Sequence, residues 1–209
     1  NIDKEEVKLK RAESTLSRLN RVLAVLSGVN SAIVRIRNRQ ELLEEACRIA
    51  VEHGKFGLAW IGLYDPATLE VTPVASAGLG SDELRQSKAT ARADVPQGKG
   101  VLGRAIRESR PVFDNDISVE KGVGGKRRQE ALRLGYRSIT VLPLFAESAV
   151  AGMLALFARE PNFFDEEEIK LLTELAGNIS FALESIEKGE KLEYLSYYDA
   201  LTGLPNRQL

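Results

Sequence analysis

The residues best equipped for chemistry are few, and most of them fall in two short stretches. The first, "GKGVLG", places Gly98, Gly100 and Gly103 at the G-x-G-x-x-G spacing that lets a backbone approach a pyrophosphate where a helix begins. Such a site needs a buried strand directly upstream, and the preceding "TARADVPQ" is polar and carries Pro96. The spacing therefore reads as a turn into a helix, whose N-terminus is still a favourable place for an anion. The second stretch, "GGKRRQEALRLGYRS", concentrates Lys126, Arg127, Arg128, Arg133 and Arg137. Two readings stand: the cations ring the mouth of a pocket and grip an anion by paired hydrogen bonds, or they form a solvated helix face. Cys47 is the one thiol and falls on the apolar side of a helix, as a small core residue does. His53 is the one imidazole and sits beside a helix C-terminus, where its charged form is favourable; that role is preferred to haem ligation. No grouping of Cys and His offers a zinc site, so no metal ligand is named.

These groups need a scaffold, and 209 residues suffice for one sizeable core with helical extensions. The 29 basic and 30 acidic residues leave a formal net charge of −1, which removes the overall electrostatic case for nucleic acid or an anionic membrane as partner. The longest apolar run, "AVAGMLALFA", is about half of the ~20 residues that cross a bilayer, and reads as a core strand. With no signal peptide visible and a lone Cys47 unable to close an internal disulfide, the expectation is a cytoplasmic protein without membrane contact.

Periodicity supplies the elements. Leu9, Ala12, Leu16, Leu19, Leu23, Leu26, Asn30 and Ile33 alternate steps of three and four, forming a heptad seam with Asn30 at an a position. A polar a residue fixes register in a two-stranded parallel contact, so Leu16, Leu19, Leu23 and Asn30 are the expected dimerisation residues. Val22, Val25 and Val29 widen the stripe, and packing on its own domain is the competing reading. A helix over "RQELLEEACRIAVEHG" is expected to stop with Gly54 at C′. Strands "FGLAWIGLYD" and "LEVTPVASAG" turn through "DPAT", Pro73 placing the second at an edge or bulge. The polar "GSDELRQSKATARADVPQ" reads as a short helix and loop over the sheet. A helix "GVLGRAIRESR", a strand "PVFDNDI" and a hairpin of "SITVLPLF" and "AVAGMLALFARE" follow. A last long helix starts after the N-cap Asp165, with Glu166 to Glu168 in its first turn. The class is α+β.

In order and spacing, "LAWIGLYD", "GKGVLGRAIRESRPVFDNDI", "ALRLGYRSITVLPL", "AVAGMLALFA" and "FFDEEEIKLLTELAGNISFALE" resemble a bacterial GAF domain. The terminal "YYDALTGLPNR" resembles the opening of a GGDEF domain, the diguanylate cyclase catalytic domain. The organisation implied is a coiled-coil-like helix over 1–26, a GAF domain over 27–187, and a signalling linker with the start of a GGDEF domain over 188–209. The chain then reads as a piece of a larger protein. The resemblance implies a central antiparallel sheet of five or six strands, terminal helices on one face, and a small-molecule pocket between the other face and the intervening loops and helices.

From the matching blocks, Trp60, Asp116, Arg128, Tyr136 and Ser138 are the pocket candidates, chosen for aromatic or hydrogen-bonding capacity. Trp60 and Tyr136 equally suit core aromatics with one satisfied polar atom. No cofactor is assigned and the ligand is unknown. Many GAF relatives carry Pro-Trp-Arg before the "AL" of the third block; Lys126, Arg127 and Arg128 stand there, without the stacking aromatic. Relatives that bind bilins attach them through a Cys followed by His, whereas Cys47 precedes Arg48, and the N-K-x-x-F-D-E pattern of the cyclic-nucleotide subgroup is absent. The GAF-type methionine sulfoxide reductases need a second Cys to resolve a sulfenic acid.

The function implied is sensory input: a GAF domain that binds a small molecule and controls, as a homodimer, a C-terminal cyclase joining two GTP into cyclic di-GMP. A ligand-free dimerisation scaffold is the alternative. In the last helix Ala176, Ile179, Leu183 and Ile186 keep a three-and-four rhythm, Glu190 and Glu193 fall where apolar residues should follow, and Leu192 and Leu195 resume out of phase. The shift centres on Gly189, a residue that costs about 1 kcal/mol relative to Ala inside a helix. Ile186, Gly189, Leu192 and Leu195 are the expected signal-transmitting positions, with two registers close in energy.

Overall fold

Three strands carry the sheet, and each reads as a nearly continuous apolar run because both of its faces are covered. They are β1 (Leu58–Asp65), β5 (Ser138–Ala146) and β6 (Ala149–Ala158); β2 (Glu70–Gly78), β3 (Ala89–Thr90) and β4 (Val112–Asp114) complete an antiparallel sheet of order β3-β2-β1-β6-β5-β4. The computed structural model describes residues 2–85, 89–119 and 122–197. Its helices are α1 (Ile2–Arg35), α2 (Arg39–Gly54), α3 (Ser81–Arg85), α4 (Val101–Glu108), α5 (Gly125–Arg133) and α6 (Glu166–Tyr197).

Strand alternation sorts side chains between two cores. Ala59, Ile61, Leu142, Leu144, Leu154 and Leu156 face α1, α2 and α6, meeting Val25, Val29, Leu43, Leu172 and Ile179. Leu58, Trp60, Val141, Met153, Ala155 and Phe157 face the other way, beneath α4 and α5 and beside Val112 of β4. Pro73 sits where the β1–β2 register jumps from Ile61↔Ala75 to Gly62↔Pro73, so it marks a bulge within β2, which lies inside the sheet beside β3. The two-residue β3 falls in the stretch expected to be helix and loop. Asn38 caps α2 by accepting the Glu41 N–H at 2.9 Å. The helix runs through Gly54, and Lys55 takes the left-handed conformation expected of that glycine. Gly54 is needed for closeness: a Cβ there would lie 2.6 Å from the Phe56 ring.

The long helices α1 and α6 run parallel. Arg18 donates to the Asn162 and Phe163 carbonyls at 2.8 Å each, Arg21 pairs with the buried Glu168, and Asn178 Nδ2 donates to Asn30 Oδ1 at 2.9 Å, so the sequence offset between partners stays nearly constant along the pair. Asp165 caps α6 as expected, and the cap is reciprocal: Glu168 N–H donates to Asp165 Oδ1 at 2.8 Å while Asp165 N–H donates to Glu168 Oε2 at 3.3 Å. The stripe on α1 divides. Val22, Val25, Leu26 and Val29 are buried in their own domain, Leu19 is half-buried, and Leu16 and Leu23 remain 60% and 45% exposed. Asn30 is bonded to Asn178 of the same chain.

Helix α6 is unbroken through Gly189; its inner face is buried up to Ala182 and half-buried at Leu183 and Ile186, and the helix is exposed from Glu187 to Tyr194, Leu192 included. The side chain of Leu195 and the segment 198–209, with Asp199 and Arg207, lie outside the described residues. Among the described residues no helix is long and apolar enough to cross a membrane.

Candidate functional site

Between the second face of the sheet and α4, α5 and the segment after β4 lies a cavity of about 620 Å³, within the size range of small-molecule sites. The strands give it an apolar floor of Leu58, Val141, Ala155 and Phe157. The wall opposite depends on glycine. A Cβ on Gly98 would lie 1.9 Å from the Arg92 carbonyl oxygen, and one on Gly103 would lie 1.9 Å from that of Gly98. The G-x-G-x-x-G spacing thus serves backbone packing at the entry of α4, as the polar upstream sequence implied. Arg107 Nη1 fastens the same turn, donating to the Ala91 and Gly98 carbonyls at 2.5 and 2.7 Å. Gly100, the N-cap of α4, abuts Gly124, the N-cap of α5: a Cβ on the first would meet the second's Cα at 3.1 Å. Neither cap offers a side chain to its helix. Two helix N-termini therefore converge beside the cavity.

Four of the five pocket candidates line this space: Trp60, Asp116, Arg128 and Tyr136. Trp60 is 1% exposed, and its Nε1–H is buried with no acceptor among the described residues. Asp116 is committed: Arg137 donates to it from Nε and Nη2 at 3.0 and 2.9 Å, Ser118 Oγ donates at 2.6 Å, and the Arg137 bonds hold its carboxyl far below the usual range. Arg128 Nε donates to the Ile117 carbonyl at 2.6 Å. The Tyr136 hydroxyl donates to the Leu79 carbonyl at 2.8 Å, and burial pushes its pKa up, so this aromatic is both wall and core. Ser138 does not line the cavity. Its Oγ lies 3.0 Å from the Asn115 oxygen and 2.7 Å from the Glu160 oxygen and accepts the Phe163 N–H at 3.4 Å, binding the start of β5 to two neighbouring segments.

The basic stretch divides by function. Lys126, Arg127 and Arg128 line the cavity, whereas Arg133 and Arg137 lie behind it and bond the lining acids Glu130 and Asp116. Arg127, absent from the five candidates, takes the place left by the missing aromatic: its guanidinium lies 4.7 Å from the Trp60 ring centroid. Burial lowers its pKa to about 10, which leaves it charged at neutral pH. Lys99 and Arg104 also line the cavity, and their signal was the charge within and directly after the "GKGVLG" turn. Cys47 is fully buried among α1, α2 and α6, on the opposite face of the sheet, and His53 is exposed in the last turn of α2. Among the described residues no three His, Cys, Asp or Glu side chains are grouped to hold a metal ion.

A six-stranded antiparallel sheet with the terminal helices on one face and a pocket on the other is a GAF-like α+β fold. The chain belongs to the GAF domain family, which it matches over residues 37–184. Among similar solved structures is the free methionine-R-sulfoxide reductase of Neisseria meningitidis in complex with its substrate, 21% identical, with 80% of this chain and 91% of that one covered at a TM-score of 0.66. The GAF domain of a phosphoenolpyruvate-protein phosphotransferase from Coxiella burnetii is 17% identical, covering 83% of this chain and 98% of that one at 0.67. The nlh2 GAF domain of A. aeolicus in an inactive state is 14% identical, with 81% and 97% covered at 0.60. At these identities the shared property is the fold. No curated protein matches the chain.

Proposed function

We propose that this GAF domain senses a small molecule held in the cavity and reports its presence along α6 to a C-terminal diguanylate cyclase, in a homodimeric cytoplasmic protein. The observation that carries ligand binding is the buried indole N–H of Trp60 with no acceptor among the described residues, in the wall of a cavity of ligand size. The likeness to a reductase crystallised with its substrate supports occupancy of such a fold by a small molecule. Sulfur redox chemistry in this chain is disfavoured because Cys47 packs on the far face of the sheet. The cyclase reading rests on the resemblance of "YYDALTGLPNR" to the opening of a GGDEF domain, and the chain itself is assigned no catalytic step.

Trp60 is the only tryptophan, so its emission reports on the cavity directly. The purified chain should retain or take up a small molecule from a metabolite extract in native mass spectra, with a change in Trp60 emission, and should make no cyclic di-GMP from GTP and magnesium. Spectra showing only ligand-free protein, with unchanged emission, would leave the scaffold reading in its place.

A further inference from the structure

The chemistry of the cavity narrows its ligand, an argument that rests on the ligand-binding reading above. Five lining residues are cationic: Lys99, Arg104, Lys126, Arg127 and Arg128. Arg104 is paired with Glu108 at 3.6 Å, and the lining acids do not balance the other four cations, because two of these acids are neutralised from behind the wall. Arg137 holds Asp116 through two hydrogen bonds, and Arg133 holds Glu130. Asp114 accepts the Asp116 N–H at 2.9 Å, and Glu83 is exposed to solvent. The convergent N-termini of α4 and α5 add positive potential of the same sign. Trp60 Nε1–H is a buried donor awaiting an acceptor. Against these donors stands the aliphatic and aromatic floor of Leu58, Val141, Ala155 and Phe157.

We propose that the cavity binds a small organic carboxylate with an apolar body and no ammonium group. The planar carboxylate matches the fork of a guanidinium and presents a further lone pair to the indole N–H, while the body lies on the strand floor. A zwitterionic amino acid meets the same donors but brings an ammonium, and of the lining carboxylates Asp116 and Glu130 are already held by arginines and Glu83 is exposed to solvent, which leaves Asp114 alone to compensate it against the cations.

Matched probes test the class. Hydrocinnamate and isocaproate should raise the melting temperature and shift Trp60 emission. Phenylalanine and leucine, which are these acids with an added ammonium, should bind at least about tenfold more weakly, as should hydrocinnamamide, which loses the charge. Arg127→Gln should abolish the preference for hydrocinnamate over its amide. Trp60→Phe, read by melting temperature, keeps the ring and removes the N–H, and should weaken hydrocinnamate severalfold. Should either variant fail to fold, the probe series on the unaltered chain decides alone. Equal binding of acid and amide, tighter binding of the amino acids, or tighter binding of phenyl phosphate would overturn the carboxylate class. Failure of both acids, while native spectra still show a bound metabolite, would overturn it and spare the sensor reading; failure of both with ligand-free spectra would remove the two together.

Discussion

Arg21 and Glu168 form the ion pair in which burial matters most. The Glu168 side chain is fully buried and that of Arg21 is 11% exposed; burial raises the Glu168 carboxyl above its usual value, the Arg21 charge pulls it back, and burial lowers Arg21. The guanidinium also lies 4.1 Å from the Phe163 ring centroid. Arg21→Met leaves a buried carboxylate uncompensated and should lower stability by about 3–5 kcal/mol at neutral pH in urea unfolding. The sign of the pH dependence follows. A carboxyl raised in the folded state contributes fully below its unfolded pKa and loses that contribution as pH rises through the folded value. Removing Arg21 raises Glu168 further, so the deficit should shrink as pH falls and grow toward neutrality. A deficit independent of pH between mildly acidic and neutral buffer would show that the carboxylate is not the penalised group.

At this scale the sequence was legible where chemistry forbids alternatives. A glycine spacing without a strand before it excluded a dinucleotide site, and a lone Cys47 on an apolar helical face had to be core. It was opaque where neighbours decide. Nothing local distinguishes Ser138, bonded away from the cavity, from Arg127, stacked inside it, because both placements depend on segments distant in the chain.

Among the elements, the strongly periodic ones were legible: the three central strands, α2, and the long α6 with its cap at Asp165. The two-residue β3 was not, since its pairing with Glu70 and Val71 arises from tertiary placement rather than from a pattern of its own. The α1 stripe mixed two signals, one buried inside the domain and one left exposed, in a single apolar band. Helix α6 carries the prediction at this scale. A Cβ on Gly189 would meet nothing within 4 Å, so no packing among the described residues requires a glycine there. Gly189→Ala should therefore add helical stability of about 1 kcal/mol without a clash. Combined with Glu190→Leu and Glu193→Leu, it should extend one register and make the output of the proposed C-terminal cyclase insensitive to its signal. Inserts after Lys188 that step through a heptad should modulate cyclase rate with helical phase. Rates indifferent to phase would eliminate rotation or register shift as the mechanism.

For the whole molecule, most of the exposed large apolar side chains fall on the paired helices, among them Leu16 and Leu23 on α1 and Phe181, 72% exposed, on α6 near the Asn30–Asn178 contact, while Leu69, Leu79, Phe113 and Val119 are exposed elsewhere. Burial of Leu16, Leu23 and Phe181 against a second copy is the proposed dimer contact, a parallel helical bundle. Light scattering should give a two-chain mass for the unmodified protein and a one-chain mass for the combined Leu16→Lys, Leu23→Lys and Phe181→Lys variant. A one-chain mass without any substitution would refute the contact.

The parallel course of α1 and α6 has a geometric result. Exposed α1 turns overhang one end of the pair and exposed α6 turns overhang the other, with no reversal of chain direction between them. Such a body can be threaded into a longer helical rod like a bead. The outgoing helix of one unit can serve as the incoming helix of the next, so domains of this build can be strung in tandem while a displacement at any bead remains in line with all that follow.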